Sequence, residues 1–346
     1  MTAFFSNIQN LRMLMVLTAV VLTGCQKNPS SHQPPSDHTF SGRTMGTSWS
    51  VVVPHAGELE LQLVQTELTG LLEKLEAKLS HWRDSSEVSR FNNAPAMTVV
   101  PVSRETAELV VFAEEVRQAS GGAFDIRVAK QVATRGFGPQ PLDRKDWRMA
   151  HISEIRVQMD PTKETASLIK DEAWNTIDLS AYVKGYAVDR IGILLDKKGV
   201  ANYLIEVGGE LKARGVNKKG KPWVVGVEMP KPHISSPHLR VQLSDEAIAT
   251  SGNYRLFRKT PSGEIRSHLV DPRNYDSSEM VFRSVSVIHR NAMAADAWAT
   301  ALFVLGEKEG LQLAEKRGFR ACFLRLAPNG NVVSRTTGGF DERLMP

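Results

Sequence analysis

From Phe40 to the C-terminus, apolar residues recur alternately at helical and at strand spacing, with no internal repeat and no second long linker. This narrows the fold more than any other feature, because interspersed helices and strands must share one core. A chain of 346 residues is long enough for one large domain or two modest ones. The pattern fits one compact α/β or α+β unit with at most two lobes. Leucines at helical spacing predict a helix over Leu61–Leu79, and further helices are expected over Arg104–Ala119, Ser180–Lys198, Ala294–Leu305 and Lys308–Lys316. Asp84 followed by Glu87 reads as a capping box for a short helix toward Phe91, and Gly121-Gly122 as a helix stop. Strands are expected at Trp49–Val53, Tyr203–Val207, Trp223–Glu228, Ala247–Ser251, Arg266–Val270 and Ser284–Ile288. A closing hairpin turns around Asn329-Gly330. Because the last strands form a meander, an α+β fold with a mixed or antiparallel sheet and packed helices is favoured.

The N-terminus has a different character. Arg12 precedes an apolar stretch from Met13 to Leu22, too short for a spanning helix of about 20 residues and suited to a secretory signal. The run ends in Leu22-Thr23-Gly24-Cys25, which resembles a bacterial lipobox whose Cys thiol takes the lipid. Acyl chains buried at roughly 0.8 kcal/mol per CH₂ would hold the N-terminus in a leaflet. Gln26 to Asp37, QKNPSSHQPPSD, are polar and Pro-rich, an extended tether. The expected organisation is therefore a signal peptide over 1–24, lipidated Cys25 with its tether over 25–39, and a folded domain over 40–346. Cys322, inside an apolar run, reads as a small buried hydrophobe. The net charge of +5 carries no Lys/Arg stripe, so nucleic-acid binding is not expected.

Several segments carry candidate chemistry. Asp296 and Thr300 lie four residues apart in NAMAADAWATALFVLG, hence on one helix face. A carboxylate and a hydroxyl suit a hard cation such as Mg²⁺, which keeps positions open for phosphate. A plain capping or surface acid is the alternative, although a lone Asp on so apolar a helix is costly unless paired. In DLSAYVKGYAVD, Asp178 to Asp189, a helix start exposes backbone groups and Lys184 lies one turn in, either reaching a phosphate or merely solvated behind a Ser180 cap. His268 in IRSHLVDP, near Asp271, is a candidate general base or a satisfied core histidine. Glycines at Gly46, Gly121-Gly122 and Gly208-Gly209 match neither a dinucleotide fingerprint nor a P-loop.

In order along the chain, RTMGTSW (Arg43 to Trp49), LSHWRDSSEVSRFN (Leu79 to Asn92), GGAFD (Gly121 to Asp125), DLSAYVKGYAVDR (Asp178 to Arg190), YLIEVGGELKARG (Tyr203 to Gly215), AIATSGNYR (Ala247 to Arg255), SHLVDPR (Ser267 to Arg273) and ADAWATALFVLG (Ala295 to Gly306) together resemble the ApbE family of FAD:protein FMN transferases, formerly called thiamine biosynthesis lipoproteins. The resemblance implies a T-fold-related α+β architecture. It also implies Mg²⁺-dependent transfer of FMN from FAD, a consumed substrate, onto a Thr or Ser hydroxyl of an acceptor flavoprotein such as a subunit of a membrane redox pump. In the residues of this chain, Met45, Trp82 and Ala123-Phe124-Asp125 would line the FAD pocket, completed by Asp178, Lys184 and the backbone at Leu269. The Ala181 carbonyl, Asp296 and Thr300 would hold the metal, and His268 would be the base. A periplasm-facing lipoprotein is implied, at the inner membrane in preference to the outer.

Two departures stand out. Asn274-Tyr275-Asp276 replaces the family's usual Thr-Gly turn after Asp271-Pro272-Arg273, and Asn253 stands where an acid is common. The same site with water as acceptor would be an FAD pyrophosphatase giving FMN and AMP. Incidental metal ligands would leave a flavin-binding lipoprotein without catalysis.

Overall fold

Helix formation follows the expected periodicity closely. In chain order, strands β1 (His38–Thr44) and β2 (Thr47–Val53) lead into helices α1 (Leu61–Leu79) and α2 (Glu87–Asn93). Strand β3 (Val100–Ser103) and helix α3 (Arg104–Ala119) precede α4 (Ala129–Thr134), β4 (Ile155–Met159), β5 (Thr165–Lys170) and α5 (Val183–Lys197). Strands β6 (Tyr203–Val207), β7 (Glu210–Arg214), β8 (Trp223–Glu228), β9 (Pro237–Leu243), β10 (Ala247–Gly252), β11 (Phe257–Lys259), β12 (Ile265–Ser267), β13 (Ser278–Glu279) and β14 (Arg283–His289) come next. Helix α6 (Ala292–Arg317), β15 (Arg320–Leu326), β16 (Val332–Thr337) and β17 (Leu344–Met345) complete the chain. This computed structural model describes residues 37–139, 153–274, 278–279 and 281–346, apart from 58, 161, 260 and 262. The expected leader, Cys25, the tether up to residue 36, Tyr275 and Asp276 lie outside the described residues.

Four boundaries differ from expectation. Helix α2 is capped by Ser86, which accepts the Ser89 N–H, because the Glu87 carboxylate turns away to accept the backbone N–H and hydroxyl of Ser103. Helix α5 begins at Val183, not Ser180, since Asp178 Oδ1 accepts the Ser180 N–H at 2.8 Å and closes a local turn there. The strand around His268 stops at Ser267, leaving His268 just beyond it. The two expected C-terminal helices run on as α6, broken at Gly306 with φ 77°.

Eight strands form an open antiparallel sheet in the order β1-β2-β6-β7-β10-β14-β15-β16. Alternate residues of each strand face opposite sides. One face, with Ile205, Val285, Val287 and Phe323, packs under α1, α5 and α6, while α3 lies on the small sheet β3-β5-β4. The other, with Ile248, Ile288, Cys322 and Leu324, is covered by the small sheet β17-β9-β8. Burial pushes the Cys322 thiol up to about 11, as befits a buried hydrophobe. The described residues belong to one compact unit, and among them no helix is long and apolar enough to cross a membrane.

Candidate active site

The site begins where α5 meets α6. A Cβ on Gly185 would lie 2.3 Å from the Ala292 carbonyl oxygen and 2.9 Å from Asp296 Cβ, so the two helices touch only because residue 185 is glycine. At this crossing the Gly185 N–H, in the first turn of α5 and without an intrahelical partner, donates to Asp296 Oδ2 at 3.0 Å. One turn along α6, the Thr300 hydroxyl lies 3.5 Å from the Ala181 carbonyl and 2.9 Å from Ser251 Oγ on β10. Asp296 and Thr300 are 3% and 8% exposed. The three candidate metal ligands are thus brought together. Among the described residues no three His, Cys, Asp or Glu side chains gather as a metal cluster; this set relies on one carboxylate, one carbonyl and one hydroxyl.

Its electrostatics are set by burial. Desolvation raises the Asp296 carboxyl, against the pull of the Lys184 ammonium and the Gly185 N–H. Lys184 is committed to a partner missed in the sequence: its Nζ lies 2.7 Å from Oε2 of Glu210, which desolvation likewise raises. Burial opposes the Lys184 charge, but Glu210 and Asp296 outweigh it and raise its pKa. The expected phosphate reach of Lys184 therefore competes with a buried carboxylate. The signal for Glu210 was a charged residue immediately after Gly208-Gly209 and opening β7. Ser251, inside AIATSGNYR, had no feature to single it out.

A second region forms the rim. Met45 at φ 48° and Gly46 at φ 72° make the two-residue β1–β2 turn, and both the Met45 N–H and the Thr44 hydroxyl donate to Glu76 of α1. Arg83 also reaches Glu76, at 3.4 Å. Beside it Trp82 is 59% exposed, with His81 ring-to-ring at 5.5 Å. His81 Nδ1 lies 3.1 Å from Asp178 Oδ1, and the Asp178 N–H donates to the Ile126 carbonyl at 2.7 Å. Burial would raise the Asp178 carboxyl, yet His81 and Ser180 together hold it below 3.8. Met45, Trp82, Asp178 and the 123–126 turn are thus linked along one polar chain, with His81 the residue that sequence reasoning missed. Ala123 and Phe124 are buried, the Phe124 ring edge packing on Tyr182 at 5.9 Å. Asp125 is held bidentately by Arg127 at 2.8 and 2.7 Å.

His268 is half-buried, and burial lowers its pKa below 6.5, with Lys184 acting the same way and the Leu256 carbonyl and Asp178 opposing. Its Nδ1 lies 3.3 Å from the Leu256 carbonyl, which can only accept; Nδ1 therefore carries the proton and Nε2 the lone pair. Asp271 does not orient this ring, because Arg273 grips both its oxygens at 2.9 and 2.8 Å. The neighbouring Leu269 N–H donates to Ser267 Oγ at 3.2 Å. Asn253 is fully buried and bridges two chain groups, Nδ2 donating to the Val281 carbonyl and Oδ1 accepting the Arg283 N–H. An acid there could not donate to Val281, so the departure at this position has a structural reason.

The antiparallel α+β scaffold thus carries a buried carboxylate, carbonyl and hydroxyl at the α5–α6 crossing and an imidazole just past β12. The ApbE family model matches residues 45–323, and the chain belongs to that family. It is 30% identical over 340 residues to the FAD:protein FMN transferase of Haemophilus influenzae, covering 95% of this chain and 96% of that protein. Its similarity to the Vibrio cholerae FAD:protein FMN transferase is 33% over 310 residues, or 88% and 90% of the two chains. Among solved structures it resembles the flavin transferase ApbE from Vibrio cholerae, with TM-score 0.77, 30% identity and coverage of 90% and 100%. The apo flavinyl transferase ApbE of Pseudomonas stutzeri matches with TM-score 0.74, 30% identity and coverage of 89% and 96%.

Proposed function

We propose that this protein transfers FMN from FAD to a Thr or Ser hydroxyl of an acceptor flavoprotein, with AMP leaving. The observation that carries the reading is the meeting of the Ala181 carbonyl, Asp296 and Thr300 at the Gly185 crossing. Three hard oxygens with no soft ligand fit Mg²⁺ in chemistry, and a carboxylate desolvated by burial gains from a cation beside it. Bound there, Mg²⁺ would neutralise charge on the FAD pyrophosphate. The chain's own residues do the rest. Trp82 offers an exposed ring for stacking, and Asp178, fixed by His81, offers an acceptor for a flavin or adenine N–H. Neutral His268 takes the acceptor's hydroxyl proton at Nε2 as that oxygen bonds to the FMN phosphorus and the pyrophosphate P–O bond breaks toward AMP.

The test is mass spectrometry of a purified acceptor, such as a flavin-carrying subunit of a membrane redox pump, incubated with the chain, FAD and Mg²⁺. Covalent FMN that requires Mg²⁺ and falls at least roughly 100-fold in Asp296→Ala supports the reading. Free FMN appearing faster than covalent FMN would make the enzyme a pyrophosphatase, and undiminished transfer by Asp296→Ala would remove the metal from the account.

The lipobox-like Leu22–Cys25 supports a further part of the proposal, a lipid anchor facing the periplasm at the inner membrane. Cys25→Ser should then move the protein from the membrane to the soluble periplasmic fraction, and an unchanged distribution would count against the anchor.

A further inference from the structure

The turn that follows α4 has no role in the account above, yet it makes three contacts with the segment bearing His268. Arg135 Nη1 donates to the Ser267 carbonyl at 3.3 Å and to the Leu269 carbonyl at 3.1 Å, the two carbonyls on either side of His268. The Phe137 ring meets the His268 imidazole edge-on at 6.2 Å. Between them, the Gly136 carbonyl accepts from Arg258 Nη2 at 3.3 Å, tying the turn to β11. On the opposite side, both the backbone N–H and Nδ1 of His268 are directed at the Leu256 carbonyl.

We propose that Arg135 is a positioning residue for His268: its guanidinium clamps residues 267 and 269 so that the ring keeps Nδ1 on Leu256 and presents Nε2 to the acceptor. The reason is geometric. In extended chain, carbonyls two residues apart point the same way, so one cation can hold both and leave the intervening peptide to bond elsewhere. His268 has passed the end of β12, and its N–H reaches back across to the Leu256 carbonyl at 3.4 Å. A guanidinium cannot lose its charge, so the clamp holds at every working pH. The clamp also ties the His268 segment to the rim, because the chain leaves the Phe124–Asp125 turn through a short 3-10 turn at Ile126–Val128 and then α4, which ends at Arg135.

This inference rests on the transferase reading, so its test needs a readout that does not depend on transfer. The full chain labelled with ¹⁵N-histidine is titrated by NMR, the His268 signal being assigned by its loss in His268→Gln. The groups that bear on this titration are Lys184, Asp178 and the Leu256 carbonyl, with Arg258 behind Phe137. The wild type should titrate below 6.5 with the proton on Nδ1. In Arg135→Met the ring should titrate at the ordinary value with both tautomers present. The FMN-transfer kcat should fall roughly 100-fold, as for a displaced catalytic group, while the KM for FAD stays within about 3-fold. Arg135→Lys, which keeps a donor and the charge, should recover part of both. A His268 titration and kcat unchanged in Arg135→Met would overturn the proposal. If Arg135→Met does not fold, Arg135→Lys decides: wild-type titration and wild-type kcat together would also overturn it. Should the wild type transfer no FMN at all, the functional reading fails, and the titration still decides whether Arg135 positions His268.

Discussion

The crossing of α5 and α6 and the rim from Met45 to Asp178 hold their functional groups by opposite means. At the crossing, helix packing does the positioning: the Ala-rich α6 and Gly185 leave no space, and Asp296 is placed by backbone contact. Along the rim, side chains on different elements are joined by polar links through Glu76, Arg83 and His81, and the Trp82 ring stands in solvent. A close-packed crossing cannot adjust to an added atom, whereas a hydrogen-bonded rim loses its contributions one at a time. The two regions should therefore fail differently when altered.

The sharpest way to break this contrast is Gly185→Ala. Its Cβ would stand 2.3 Å from the Ala292 carbonyl oxygen, so the helices must separate. Overpacking of this kind costs about 1–3 kcal/mol, and a metal site displaced by an ångström loses roughly 100-fold in rate. Thermal melts and FMN transfer should both decline. A variant with wild-type melting and wild-type turnover would mean that the crossing has slack and that tight packing is not what organises the cluster.

What was legible in the sequence follows the same division. Helices α1 and α3 were legible because their apolar period is local, and Asp296 with Thr300 because i and i+4 share a face whatever the fold. The Gly185–Asp296 contact spans 111 residues and Thr300–Ser251 spans 49, and no local period encodes such pairs. Glu210 and His81 were missed for that reason: each looks like an ordinary polar residue near a turn until its buried partner comes from another element. The start of α5 was misplaced because Ser180 is a good cap by type, while Asp178 two residues earlier takes its N–H first. The resemblance supplied residues such as Met45 that no physical pattern would have chosen, and the structure shows Met45 at a positive φ in a two-residue turn, a conformation that L side chains rarely adopt.

An intermediate effect is expected from His81→Phe, which keeps a ring but removes the donor to Asp178. A hydrogen bond to a buried carboxylate contributes about 1.5–3 kcal/mol. The sign with pH follows from the direction of the shift. Asp178 is held below 3.8 in the folded chain, so its stabilisation is complete above 3.8 and disappears as pH falls through the lower folded value. Urea unfolding of wild type and variant should differ by that amount near neutrality and converge in acid. A difference that persists unchanged in acid would assign His81 to packing alone and detach it from the rim's electrostatics.

The smallest effect on the fold should come from Trp82, the exposed ring proposed to stack on FAD. Trp82→Ala removes a ring that is 59% exposed, so little core packing is lost and stability should stay within about 0.5 kcal/mol. Stacking on an aromatic ring contributes about 1–3 kcal/mol per base, so the KM for FAD should rise roughly tenfold while kcat holds. Trp82→Phe should recover most of that affinity, since a smaller ring still stacks. If alanine instead lowers the melting temperature and leaves FAD binding intact, Trp82 belongs with the packed interior, and the division between a rim that binds and a crossing that organises chemistry is drawn in the wrong place.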